Sequence, residues 1–469
     1  MGRRDRVVWE NILITGLAAE GKALAFIDGR ALFVPQTIPG DVVDVEVMHR
    51  KKSYMEGRLL HLRQPSPDRI QPFCNHFGTC GGCKWQALPY DLQLKWKQQQ
   101  IYDQLTRIGK LELPPMMPIL GSEKTRAYRN KLEFTFSNSC WVSREDFEAP
   151  GGKDLTKQNA LGFHVGGFFD KVLDVEHCYL QPEPSNDIRL SVKAFAMERA
   201  YPFFDLRAQT GFLRTLMIRT ASTGELMVVV AFAYEDKTKR EALLDHLMER
   251  FPSIHSLMYV INGKRNDSWE GLEVLPYQGP PFIMEQMESL RFKLGPKSFY
   301  QTNSNQAYRL YSVIRDFAEL TGNELVYDLY TGIGSIALFL SPYAQEVIGI
   351  EYVAEAVENA RENADINGIT NSRFYAGDMR KVLDDDFIGQ HGKPDLMVLD
   401  PPRAGMHPDV VQTILEAAPA RIVYVSCNPA TQARDVQMLS GQYLVKAVQP
   451  VDMFPHTHHV ENVLLLHKK

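Results

Sequence analysis

The chain of 469 residues has no run of 18 or more apolar residues, so no membrane span is expected. Its start, MGRRDRVVWEN, has basic residues without a following apolar stretch or small-residue cleavage site. That argues against a secretory signal and for a cytoplasmic protein. Internal repeats and long low-complexity tracts are lacking. Charge of neither sign prevails: the net charge is -5, and affinity for a polyanion would have to come from a local basic face. A candidate face is His49-Arg50-Lys51-Lys52 followed by Arg58, Arg63 and Arg69, with a solvated loop as the competing reading. Cysteine is scarce, six residues in all: Cys74, Cys80, Cys83, Cys140, Cys178 and Cys427. A cytosolic chain this long does not need disulfides, so metal or catalytic roles are the better readings.

What is present reads as a multidomain protein of two to four domains, at roughly 100–200 residues each. Residues 7–63 look all-β. Val43–Val47 alternates, Asp28-Gly29 sits between two apolar runs as a hairpin signal, and a small barrel is the natural closure. Gln64–Asp68 reads as a linker. The central region to residue 297 mixes strands and helices (α+β): a helix at about 90–109, an alternating Arg129–Ser137, a hairpin of Thr215–Thr220 with Glu225–Phe232, and a polar loop over 143–160. From residue 298 strands alternate with helices, as in a mostly parallel α/β sheet covered on both faces. The strands are Leu325–Leu329, Glu346–Glu351, Asp395–Asp400 and Arg421–Ser426, and Gly368 is a plausible helix C-cap. Tyr443–Val448 and Asn462–His467 follow without a helix between them, a closing hairpin that resembles class I methyltransferase sheets. The expected divisions are 1–66, 67–297 and 298–469.

In such sheets the ligand sits beyond the carboxyl ends of the strands. Those ends carry Asp328-Leu329-Tyr330-Thr331-Gly332-Ile333-Gly334, Glu351, Asp378 and Asp400. Glu351 lies 21 residues beyond Tyr330, where an acid can accept hydrogen bonds from a ribose. A dinucleotide fingerprint would need G-x-G-x-x-G, but Ser335-Ile336-Ala337 follow Gly334, which disfavours a pyrophosphate cofactor. The turn resembles those that bind S-adenosylmethionine. Asp400-Pro401-Pro402-Arg403-Ala404-Gly405 is stiff at its prolines, and a related turn serves amino-group methyltransferases, so it does not identify the acceptor atom.

Cys427 ends the strand Arg421–Ser426. A free cysteine is most often a small buried hydrophobe, but this one stands beside the cofactor turns. Three stretches together resemble the RNA uracil-5-methyltransferase family: Ser426-Cys427-Asn428-Pro429-Ala430-Thr431, Ala433-Arg434-Asp435, and Val448–Glu461 with its Asp452-Met453-Phe454-Pro455-His456-Thr457-His458-His459. The resemblance implies that Cys427 is the nucleophile and Glu461 the base. It places the cofactor, S-adenosylmethionine, on Gln301, Tyr330, Glu351 and Asp400, with Ser335 and Asp378 as further positions. Uracil carbon 5 is a poor nucleophile until a thiolate adds at carbon 6, and a base must later remove the carbon-5 proton, so the reaction needs both groups. A nearby positive charge or helix N-terminus would favour the thiolate. His458 or His459 are alternative bases, and the three histidines also suggest a metal site.

Cys74-x5-Cys80-x2-Cys83 needs a fourth ligand for zinc or an iron–sulfur cluster. Cys178, Cys140 and His76 all compete for that place. Ribosomal members of the resembled family carry a [4Fe-4S] cluster with this spacing, and the surroundings of Cys178 resemble its distant fourth cysteine, which leaves Cys140 without a role. Residues 1–66 resemble the TRAM module, an OB-like barrel that binds RNA on one face. The resemblance thus implies 23S ribosomal RNA as substrate, with no membrane and no obligate protein partner. The tRNA-specific branch is expected to lack both the barrel and the cluster. Competing readings are an amino-group methyltransferase, which would not need Cys427, and an RNA-binding iron–sulfur module without catalysis.

Overall fold

The computed structural model describes residues 7–469; the MGRRDR start of the expected 1–66 module lies outside the described residues. By compactness the chain divides into two units. One comprises the residues up to Gly78, Gly82–Thr125 and Leu399–Lys469, and the other Thr79–Gly81 and Arg126–Val398. These lines differ from the expected boundaries after residues 66 and 297. In the first unit the helix Tyr90–Arg107 packs on the helix Pro429–Leu439 and buries Lys97 against Asp452, which ties residues 82–125 to the C-terminal segment.

The N-terminal strands form one six-stranded sheet in the order Val8–Leu13, Val42–Arg50, Tyr54–Gln64, Arg30–Val34, Ala23–Ile27, Gly16–Leu17. Asp28 and Gly29 both adopt positive φ, 50° and 75°. They make the expected turn between antiparallel strands. Alternation along Val43–Val47 would turn Asp44 and Glu46 to solvent, yet they are buried. The reason is electrostatic pairing: Arg63 donates to Asp44 at 2.6 Å and Arg58 to Glu46 at 2.5 Å. Arg69 likewise donates to buried Asp41 at 2.5 Å. Burying a carboxylate without a partner is costly, and each of these arginines offsets that cost for one carboxylate. His49, Arg50, Lys51 and Lys52 stay exposed.

In the second unit a seven-stranded sheet runs Val274–Gln278, Ser256–Ile261, Leu226–Phe232, Leu213–Thr220, Lys131–Ser137, Ala160–His164, Val172–Asp174. The expected hairpin is Leu213–Thr220 with Leu226–Phe232, paired antiparallel. Helices Ser185–Glu198 and Lys237–Arg250 add Ile188, Val192, Leu243 and Leu247 to its core. The stretch 143–160, read as a loop, contains two short helices, Arg144–Glu148 and Gly152–Leu155. The first starts where Ser143 accepts from the Asp146 amide at 3.0 Å, a cap that polar composition alone concealed.

Further strands pair in the order Ser372–Ala376, Glu346–Glu351, Leu325–Leu329 in the second unit, and Arg421–Ser426, Glu461–Lys468, Tyr443–Val451 in the first. The first three strands pair in parallel, and the last three are antiparallel, the expected closing hairpin. Ser372–Ala376 was not legible in the sequence because its five residues show no clean apolar run. No described helix is long and apolar enough to cross a membrane.

Candidate active site

The nucleophile candidate and the base candidate face each other through strand register. Ser426 pairs with Asn462 in an antiparallel ladder, so one further step sets Cys427 opposite Glu461. A side-chain lock holds this pairing: Asn462 donates to Gln432 at 2.7 Å, and Gln432 donates to the carbonyls of Asn462 at 3.2 Å and Tyr424 at 2.9 Å. Gln432 belongs to the helix Pro429–Leu439, which begins two residues after Cys427 and is capped by Asn428, whose side chain accepts from the Ala430 amide.

The Asp400–Gly405 turn is tied to the same corner. Asn428 and Thr431 both donate to the Arg403 carbonyl, at 3.0 Å and 3.2 Å. Gly405 has φ +76°, and a Cβ there would stand 2.6 Å from the Asp435 carboxylate, so the turn requires glycine. Asp435 in turn accepts from the Met406 amide at 2.8 Å and the Tyr424 hydroxyl at 2.7 Å.

The electrostatics differ from the expectation of a thiolate poised by positive charge. Burial, followed by the charge of Glu461, pushes the Cys427 thiol up to about 11, with Arg403 acting in the opposite direction. Burial also raises the Glu461 carboxyl to about 8 and the Asp400 carboxyl to about 7. Near neutral pH Cys427 and Glu461 thus both hold their protons for most of the time, and Glu461, once ionised, is a far stronger base than an ordinary carboxylate. Arg403, absent from the residues singled out by sequence, is the cation that opposes both shifts, and its guanidinium lies 3.0 Å from His459 Nδ1. The signal was available in the quoted turn, but the sequence could not show that this arginine reaches Cys427. His458 is pushed down to about 4 by burial and by the nearby cations Lys84 and Arg403. It is therefore a much weaker base than Glu461.

The remaining cofactor candidates lie in the other unit. Tyr330 holds φ +67°, and its amide donates to the Ile350 carbonyl at 2.9 Å. The Gly332 amide donates to Glu351 Oε2 at 3.1 Å and the Val353 amide to Oε1 at 3.0 Å. A Cβ on Gly332, which has φ +56°, would meet open space. The glycine turn therefore leaves room for a ligand beside an acid already oriented by the backbone. Gln301 is buried, and its carbonyl accepts from Asn130 at 2.9 Å. Ser335 shares a hydrogen bond with Tyr311 at 2.8 Å. Asp378 caps the short helix Met379–Val382 and is held down to about 2 by Arg380, so these two side chains are already committed within the fold. Phe299 and Tyr352, neighbours in sequence of Gln301 and Glu351, are 70% and 72% exposed. They are rings that sequence reasoning passed over.

None of the six cysteines is in a disulfide, and all are half-buried. Among the described residues no three or more His, Cys, Asp or Glu side chains gather as a metal group. Cys74, Cys80 and Cys83 keep their spacing as support for the expected cluster, and Cys178 the resemblance of its surroundings.

Comparison with known proteins places these features in context. Residues 282–469 match the family described as tRNA (Uracil-5-)-methyltransferase, and residues 10–60 match the TRAM domain. A Porphyromonas gingivalis protein described as an uncharacterized RNA methyltransferase is 58% identical over 97% of this chain and 98% of its own. A Bacteroides thetaiotaomicron protein of the same description is 57% identical over 96% and 99%. The solved tRNA (uracil-54, C5)-methyltransferase of Pyrococcus abyssi, in complex with S-adenosyl-L-homocysteine, is 28% identical with a TM-score of 0.75. It covers 98% of this chain and 100% of its own. A tRNA enzyme thus extends over nearly all of this chain, and overall length does not separate tRNA from ribosomal substrates.

Proposed function

Since this chain belongs to the RNA uracil-5-methyltransferase family, we propose that it methylates carbon 5 of a uridine in 23S ribosomal RNA, with Cys427 as covalent nucleophile and Glu461 as base. The observation that carries this reading is the register of the closing strands, which sets a thiol opposite a buried carboxyl of raised proton affinity. The Cys427 thiol gives its proton to solvent, the sulfur adds to carbon 6 of the uracil, and the electron pair of the 5,6 double bond moves to carbon 5, the carbon that takes the methyl. Glu461 then accepts the carbon-5 proton, the carbon–sulfur bond breaks, and the double bond re-forms. Arg403 stabilises the thiolate before addition and after release. S-adenosylmethionine supplies an electrophilic methyl when bound. Gln301, Tyr330, Glu351 and Asp400 would hold it, with Ser335 and Asp378 shaping the surroundings.

The TRAM module and its exposed His49–Lys52 run bring the RNA backbone in, and the target base has to leave its stack. In this reading residues 1–66 bind RNA, 67–297 position it and 298–469 catalyse. Cys74, Cys80 and Cys83, on the strength of their spacing, and Cys178, by the resemblance of its surroundings, hold a [4Fe-4S] cluster, with zinc as the alternative. The enzyme works in the cytoplasm. A second reading, a tRNA uridine as target, is favoured by the full-length likeness to the Pyrococcus abyssi enzyme.

The test uses total RNA from a strain lacking this protein. The native enzyme should restore 5-methyluridine to 23S ribosomal RNA and be trapped covalently by 5-fluorouridine RNA; Cys427→Ala should do neither. An active alanine variant would overturn the mechanism. Restoration in tRNA alone would move the substrate to the second reading.

A further inference from the structure

The segment Asp452–His459 leads directly into Glu461, and the helix Tyr90–Arg107 grips it with side chains that are not needed for a helix surface. The helix buries Gln93, Lys97, Ile101 and Leu105 at four-residue steps, and two of these four are polar. Lys97 and Asp452 are both fully buried and meet at 2.6 Å. Lys97 also donates to the Phe454 carbonyl at 3.1 Å. Asp452 accepts the Phe454 amide at 3.0 Å and the Tyr90 hydroxyl at 2.8 Å. The Tyr90 oxygen accepts the Ser122 amide at 2.7 Å.

One turn further on, Gln93 accepts the His456 amide at 2.9 Å, and it donates to the carbonyls of Trp85 and Leu88. The amides of Lys84 and Trp85 both donate to the His456 carbonyl. These bonds hold His456 at φ +65°, a conformation a non-glycine residue keeps only when its surroundings impose it. The Phe454 carbonyl accepts the Thr457 hydroxyl at 2.8 Å, and that oxygen accepts the His459 amide at 3.2 Å. His459 then reaches Arg403.

A buried ion pair is weak evidence for stability, since an apolar pair of similar volume often serves as well, but it is directional. We propose that Lys97, Asp452 and Gln93 are positioning residues that fix the Asp452–His459 segment, and through it the aim of Glu461 at the carbon-5 proton. This inference rests on the roles proposed for Cys427 and Glu461. Its signature is a split between two steps. Misplacing Glu461 slows release of the RNA from Cys427, while thiol addition, which does not need the base in place, continues.

The experiment measures, on total RNA from the deletion strain, formation of 5-methyluridine and the covalent protein–RNA band on denaturing gels, with rapid quenching. Native enzyme, Cys427→Ala and Glu461→Gln are run beside Lys97→Met and the milder Tyr90→Phe, which removes only a hydroxyl. Lys97→Met should slow release about ten- to a hundredfold, the cost of displacing a reacting group by up to about 1 Å, and its covalent band should accumulate as in Glu461→Gln. Tyr90→Phe should accumulate the band to a lesser degree. If Lys97→Met does not fold, the Tyr90→Phe result decides. A variant pair that loses band formation and turnover in equal proportion, or that turns over like the native enzyme, overturns the positioning role. Absence of a band in both native enzyme and Glu461→Gln would instead remove the covalent mechanism itself.

Discussion

Replacing Glu461 by glutamine should stabilise the protein, and by an amount that grows with pH. The carboxyl is buried, and its proton affinity is raised from an ordinary 4.5 to about 8. A raised acid binds its proton more tightly in the folded than in the unfolded chain. Its contribution to stability is therefore fully present below pH 4.5 and is lost as the pH rises toward 8. At about 1.4 kcal/mol per tenfold, the loss is about 3 kcal/mol at pH 7 and about 5 kcal/mol above pH 8. Glutamine has the same shape and no charge to desolvate, so Glu461→Gln escapes this loss. Urea unfolding of the native and variant proteins at unit steps from pH 5 to pH 9 would measure it. The difference in unfolding free energy should be small at pH 5, widen through pH 7 and level off near pH 9. Turnover of the native enzyme should rise over the same interval, because the ionised carboxylate that destabilises the fold is the form that takes the proton. A stability difference independent of pH would show that Glu461 is not a buried carboxyl of raised proton affinity.

Arg403→Gln should slow capture by 5-fluorouridine RNA about tenfold near neutral pH, since a cation beside a thiol lowers its pKa by about one unit or more; capture at the native rate would remove Arg403 from thiolate stabilisation. Lys51→Ala with Lys52→Ala should weaken RNA binding and lower the slope of log affinity against log salt by about 1.4, for two single-strand phosphate contacts. Arg58→Ala should leave that slope unchanged and lower stability, because it removes the ion pair that Arg58 makes with buried Glu46; an equal loss of slope would return Arg58 to the RNA-binding face. Anaerobically purified protein should carry about four iron and about four sulfide per chain. Cys178→Ser should lose both and Cys140→Ser neither, while zinc in their place would establish the alternative metal.

The strand–helix alternation, the final hairpin, the Asp28-Gly29 turn and the helix near residue 90 could all be read from the sequence. Each rests on local periodicity or local turn chemistry, which a single segment carries by itself. The site was legible where its residues lie in one short stretch: Cys427 at a strand end, the Asp328–Gly334 turn, Glu461 before the last strand. Partnerships across the chain were not legible. Asp44 and Glu46 read as solvent-facing, yet they are the buried anchors of Arg63 and Arg58. Lys97 is buried by Asp452, 355 positions away, a pairing no local pattern around the helix signals.

A methyl-donor-type sheet with a cysteine and a carboxylate at its last strand ends was legible in the sequence, because strand ends and turns are local properties. The pairing of distant segments sets the cysteine opposite the carboxylate, buries both so that their proton affinities rise, and brings the Arg403 cation close enough to oppose both shifts. Register, desolvation and charge proximity depend on which distant segments fold against each other, and no window of the sequence contains that information.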